Sequence, residues 1–154
     1  MEKRSLYESF QSLEAVKELK GVKFAYAVLK NMKMISEEIK LFEEVIKPSP
    51  EYERYEFSRI ALCESHSEKK EDGTPVIVGD KYKIVDELSF NAELEVLKND
   101  YGVFITERLK QIDEYNKMLN EIINIDFVKI NFGDIPENVS AKELESIEFM
   151  INME

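Results

Sequence analysis

The chain is poor in the residues that most reaction centres need. Its 154 residues include one cysteine (Cys63), one histidine (His66), no tryptophan and five glycines. A lone cysteine excludes an intramolecular disulfide framework and points to a reducing compartment. One Cys and one His fall short of the four protein ligands of a structural zinc site. Five scattered glycines do not make a phosphate-cradling loop. The longest apolar run, at residues 24–29, is six residues, far below the roughly 20 of a membrane span. Met1-Glu2-Lys3-Arg4-Ser5 is charged and lacks a signal-peptide core. A cytoplasmic protein with no membrane partner is therefore expected.

Apolar residues are plentiful. At 44% hydrophobic composition there is material for a packed core, and the length suits one domain over residues 1–154. The 32 acidic and 21 basic residues leave a net charge of −11. That balance argues against direct nucleic-acid binding, because phosphate contacts need clustered Lys and Arg. The two signs are interspersed, as on a solvated helical surface. An acidic face that imitates nucleic acid is the sharper alternative.

Hydrophobic periodicity predicts mostly helix. Ser5-Leu6-Tyr7-Glu8 has the form of a capping box, and Leu6, Phe10, Leu13 and Val16 recur at helical spacing up to a left-handed stop at Lys20-Gly21. Over 22–47, Phe24, Val28, Met32, Ile35, Ile39, Phe42 and Ile46 share one face. Leu29, Met34, Leu41 and Val45 widen it, which predicts burial against more than one neighbour. In Pro48-Ser49-Pro50, Ser49 can cap a third helix and Pro50 suits its first position, with Glu51 complementing the dipole. That helix runs to about Lys69 and forms a helix hairpin with the one before it.

Val76-Ile77-Val78 and Tyr82-Lys83-Ile84-Val85 flank Gly79-Asp80, which predicts a β-hairpin at about 76–85. Residues 86–122 read as a straight long helix whose apolar stripe (Phe90, Leu94, Leu97, Tyr101, Ile105, Ile112, Tyr115, Leu119, Ile122) is interrupted by Arg108. Gly102 marks close helix approach or a local break. Over 123–152 a strand precedes a helix. Ile123, Ile125 and Phe127 alternate, then Val128, Ile130 and Phe132 alternate on the opposite parity, which predicts a β-bulge or a strand that changes the surface it covers. Ser140-Ala141-Lys142-Glu143 is a second capping box; Leu144, Ile147 and Ile151 line one side of the last helix, with Phe149 and Met150 off that stripe.

The expected fold is thus α+β and mainly helical: a helix hairpin plus a long helix, helical over 5–69 and 86–122. A small antiparallel β element joins 76–85 to 123–132. A terminal strand left unpaired would favour a homo-oligomer that shares it.

Candidate chemistry is thin. Cys63 and His66 lie three apart on a predicted helix and form half a zinc site or a catalytic dyad without its orienting group. A helix-surface histidine beside a half-buried thiol is the favoured reading of them. Glu37, Glu38, Glu43 and Glu44, with Glu51, Glu53 and Glu56, are the carboxylates from which facing helices build di-metal centres, yet no Glu-x-x-His motif accompanies them. Glu43–Lys47 and Asp113–Lys117 fit ordinary surface ion pairs. The stretch Gly73-Thr74-Pro75-Val76-Ile77-Val78-Gly79-Asp80-Lys81 lacks the Gly-Lys-Ser/Thr ending of a phosphate loop. Tyr52, Tyr55 and Tyr82 are candidate interface aromatics, with a half-buried core place the commoner one for tyrosine. No catalytic, cofactor or metal residue is assigned, and a non-enzymatic protein is expected.

The order of segments carries a resemblance. Val22-Lys23-Phe24-Ala25-Tyr26-Ala27-Val28-Leu29-Lys30-Asn31 leads into Glu37-Glu38-Ile39-Lys40-Leu41-Phe42-Glu43-Glu44, then a hairpin near Glu71-Asp72-Gly73 and a long helix. The close is a Val/Ile strand, Asp134-Ile135-Pro136 and Ala141-Lys142-Glu143-Leu144-Glu145-Ser146-Ile147-Glu148. Over roughly residues 13–151 this resembles small uncharacterised helical proteins encoded by tailed bacteriophages and prophages of Firmicutes-type and related anaerobic bacteria. The resemblance implies an accessory protein that binds phage or host proteins, in virion assembly or as an oligomeric scaffold, in the host cytoplasm or with the particle. No site residue carries over from it. The second reading is an acidic inhibitor of a host nucleic-acid-binding or defence protein.

Overall fold

A computed structural model describes residues 1–152. Six α-helices and a small antiparallel two-stranded sheet make the chain a mainly helical α+β structure. Where the sequence reading treats residues 1–154 as one domain, the chain divides into two compact units. One is Met1–Ile46 with Glu114–Glu154; the other is Lys47–Asp113.

In the first unit α1 (Ser5–Val16) packs on α2 (Val22–Val45). Leu6, Leu13 and Val16 meet Phe24, Val28 and Ile35 in one core, which Ile130, Ile147 and Met150 complete. Each such side chain contributes about 1.5–3 kcal/mol by leaving water. Leu29, Leu41 and Val45 do not widen the buried face of α2; all three are exposed. The Ser5–Glu8 capping box does not form either. A turn over residues 2–4 already leads into the helix: Ser5 N–H donates to the Glu2 carbonyl and Leu6 N–H to that of Lys3, so Ser5 lies inside the first turn and Arg4 takes the cap position without a side-chain bond. Gly21 serves the start of α2 instead of stopping α1. Its φ of +143° is open to glycine, and a Cβ there would lie 3.4 Å from that of Phe24.

The parity switch at Phe127–Val128 is not a bulge, because residues 123–129 belong to no strand. Phe127 N–H donates to the Ile125 carbonyl at 3.0 Å, a three-residue turn that re-aims the chain. The next residue is held by the side chain of Asn31, which has no solvent exposure. Val128 N–H donates to Asn31 Oδ1 at 2.8 Å, and Asn31 Nδ2 donates to the Val128 carbonyl at 3.0 Å. One carboxamide thus does the work of a neighbouring strand. Beyond it β3 (Ile130–Asn131) pairs in parallel with β4 (Ile151–Asn152). The last helix, α6 (Ala141–Ser146), opens with the expected Ser140–Glu143 capping box but is short. A 3₁₀ turn follows, then β4, whose pairing with β3 replaces further helix and buries Met150 beside Ile147.

In the second unit α3 (Pro50–His66) starts as its sequence predicts, with Ser49 Oγ accepting from Tyr52 N–H at 3.2 Å and Pro50 at the first position. It stops before Lys69 because Ser67 and Lys69 pair with Ile84 and Pro75. These residues are the third partner of the hairpin formed by β1 (Ile77–Val78) and β2 (Lys81–Tyr82). The expected link between 76–85 and 123–132 is corrected accordingly: β3 finds its ladder with β4. Gly79 takes φ +65° at the first central turn position, as a type II′ hairpin turn requires.

The long helix is two helices, α4 (Glu87–Asp100) and α5 (Gly102–Leu119), broken at Tyr101 with φ −107° and ψ 14°. A Cβ on Gly102 would meet nothing within 4 Å, so the glycine marks a break and not a close approach. Asp86 caps α4 through Ser89 N–H at 3.1 Å. Within units α1 packs with α2 and α6, and α3 with α4; the hairpin expected from 22–47 and 50–69 has its two helices in different units.

Asn31→Ala would leave both backbone groups of Val128 without their partner at the half-buried edge of the core. A loss of about 2–4 kcal/mol is expected, read as a fall in the urea midpoint. Ser140→Ala, which removes only a cap, is expected to cost about 1 kcal/mol. Equal midpoints for Asn31→Ala and wild type would show that the Val128 bonds are dispensable.

Candidate functional site

Cys63 and His66 both sit near the end of α3, but the structure surrounds them differently. Cys63 is a buried free thiol. His66 turns to α4: its Nε2 stands 3.2 Å from Glu93 Oε1 and its ring meets Phe90 edge-on at 5.8 Å. Among the described residues no group of three or more His, Cys, Asp or Glu side chains could hold a metal ion. Glu37, Glu38, Glu43 and Glu44 belong to the first unit, and Glu51, Glu53 and Glu56 to the second. Glu37 lies 4.0 Å from Lys33. Glu56 is held by a two-pronged contact from Arg59, at 2.9 and 2.8 Å, which keeps its carboxyl below the ordinary carboxylate range.

The Gly73–Lys81 stretch holds a turn, then β1, the Gly79 turn and the start of β2. Asp72 Oδ1 accepts from Thr74 N–H at 2.9 Å and from its hydroxyl at 2.6 Å, and these bonds lower the Asp72 carboxyl. Gly73 has φ +82° at the tip between Lys70 and Thr74. The backbone amides that a phosphate would need are partly committed to hairpin pairing, with Val76 donating to Glu68 and Lys83 to Val76.

The tyrosines divide. Tyr55 is buried, while Tyr52 and Tyr82 are half-buried. Tyr52 and Tyr55 begin a tilted aromatic row, with centroids 5.6 Å apart, that continues to Tyr101 at 5.9 Å and Phe104 at 6.4 Å. Arg108, the interruption in the apolar stripe, lies over the Tyr52 ring at 5.7 Å and donates to Gln111 Oε1 at 2.7 Å. Burial, with the Glu56 carboxylate close by, pushes the Tyr52 hydroxyl up. This row joins α3 to α4 and α5. Sequence reasoning saw Tyr52 and Tyr55 but missed their continuation, because aromatic pairing across helices has no local spacing signal. Asn31 was also missed, although a polar residue within the stripe between Val28 and Ile35 was the sign of it.

One surface open to other molecules lies in the second unit. Among the described residues, the buried hydrophobic side chains of Lys47–Asp113 are Tyr55 and Cys63. By contrast α3 and α4 expose Phe57 (78%), Leu88 (85%) and Val96 (61%). Leu88, Ala92, Val96 and Asn99 follow helical spacing along one side of α4. A shallow groove of about 330 Å³ runs beside this stripe, lined by Ser58 and Leu62 of α3 and by Glu93, Val96, Leu97 and Asp100 of α4. Exposed apolar patches rimmed by polar groups are characteristic of interaction surfaces.

No helix among the described residues is long and apolar enough to cross a membrane. Comparison with known proteins finds no matching family model, curated protein or solved structure.

In the first unit, Tyr7 and Tyr115 bring their hydroxyls to 3.3 Å, and burial together with that contact raises Tyr7 to about 12. Folding favours its protonated form, so the associated stability is lost as pH rises from about 10 to about 12. Ultraviolet titration of the seven tyrosines is expected to show a late step that Tyr7→Phe removes. An unchanged late step in that variant would contradict the assignment.

Proposed function

We propose that the protein is a non-enzymatic phage or prophage accessory protein that acts by binding other proteins, in virion assembly or as a small scaffold, in the host cytoplasm or on the particle. One observation carries the binding role: the second unit buries little apolar surface and displays apolar side chains along the outer faces of its helices. Side chains such as Leu88 and Phe57 gain most when another surface covers them. The phage setting rests on the segment resemblance.

The acidic-inhibitor reading predicts a continuous carboxylate stripe. Intrahelical pairs such as Lys17–Glu14, Arg59–Glu56 and Lys98–Glu95 alternate the sign along α1, α3 and α4 instead, which weighs against it.

The test is a tagged pull-down from infected or prophage-induced cells, read by mass spectrometry and repeated with Leu88→Glu. Capsid, portal or tail proteins are expected with the wild type, and at least about tenfold less of them with the variant, given the cost of placing a charge in an apolar contact. Recovery of a host nuclease, polymerase or defence complex in their place would overturn the assembly reading.

A further inference from the structure

We propose that the groove between α3 and α4 is the docking site for one helix of a partner protein, amphipathic and basic at both ends of its contact. This rests on the protein-binding reading above and specifies the chemistry of the partner.

The floor is apolar and incomplete. Leu62 and Leu97 are half-buried, and Val96 is 61% exposed beside them. Two paired helices cover one face of each other, so the side chains at the edge of the seam keep an open side. A third helix laid along the groove would close it in the way helices enter apolar grooves elsewhere, with anchors three, four and seven residues apart.

The rim supplies length and sign. Glu93 and Asp100 stand seven residues apart on α4, about 10 Å or two turns. Both are exposed at the groove's edge, and His66 Nε2, 3.2 Å from Glu93 Oε1, fixes the first of them there. Two carboxylates bracketing an apolar floor match an apolar stripe bracketed by Lys or Arg. They do not match a second copy of this chain, since each copy carries a net charge of −11 and approach would be opposed by repulsion.

The probe is a fluorescein-labelled leucine–lysine peptide of about 14 residues, four helical turns, with leucine on one face. A scrambled peptide of the same composition controls for charge alone. Fluorescence anisotropy with the full chain is expected to show the striped peptide binding at least about tenfold more tightly than the scrambled one, and weakening with salt. Val96→Glu and Asp100→Lys are each expected to weaken it about tenfold. Glu137→Lys, in the other unit, is expected to leave it unchanged. All three positions are exposed, and far-UV circular dichroism confirms that the variants fold.

Equal affinity for both peptides would overturn the proposal, as would groove variants that bind like wild type. A dimer seen by sedimentation and dissociated by Val96→Glu would overturn it in favour of a second copy. The peptide assay uses purified protein and the pull-down uses cell extract. Particle proteins retained without peptide binding would sink the groove alone; peptide binding with no particle proteins would sink the assembly role alone.

Discussion

A carboxamide sealed from water organises the first unit. Removing the polar atoms of Asn31 from solvent is tolerable only because Val128 offers a donor and an acceptor at hydrogen-bond distance. That requirement draws an otherwise ladderless stretch of backbone onto α2 and fixes its register to one residue. Ile130 then falls into the core and β3 lies where β4 can pair with it. The 3₁₀ turn that leads into β4 brings in Met150, whose sulfur also approaches Asn31 Nδ2 at 3.7 Å. A polar contact thereby decides which apolar groups are buried.

The second unit is held together differently. Its helices meet through a row of tilted rings and a guanidinium laid on one of them, with few fully buried apolar groups. Such contacts are directional and individually modest, and they leave the backs of the helices uncommitted. The two units thus differ in their interiors: one closes a core around a buried amide, the other buries few apolar side chains, and both leave apolar groups exposed.

Local signals were read correctly wherever local physics decided the outcome. Ser49-Pro50, the Ser140–Glu143 box, the Gly79 turn and the core face of α2 are each set by residues within a few positions of one another. The misses share another cause. Ser5 lost its capping role to a turn formed by residues before it, and Gly21 acted on the following helix instead of the preceding one. The parity switch at Val128 was visible, but its agent lies 97 residues away. The partner of β3 was misassigned because a two-residue strand carries no address in its own sequence. For the candidate site, the placement of Cys63 and His66 on one helix was legible from spacing, but the turn of His66 toward Glu93 and Phe90 was not, since it depends on α4. Nor was the groove: Leu62, Val96 and Asp100 become neighbours only once α3 and α4 pair.

The first unit is discontinuous, and that sets an order of events during synthesis. Residues 1–4 bond to residues 119–123, and Ile130 pairs with Ile151. All of Lys47–Asp113 leaves the ribosome before those partners exist, so the second unit can fold while α1 and α2 wait. At about 5–20 residues per second the wait lasts several seconds, with the core between α1 and α2 still open where Ile130, Ile147 and Met150 will close it. The nascent chain therefore passes through a stage in which its longest helix has only α1 on its apolar face, and it is in those seconds that the chain is most open to aggregation.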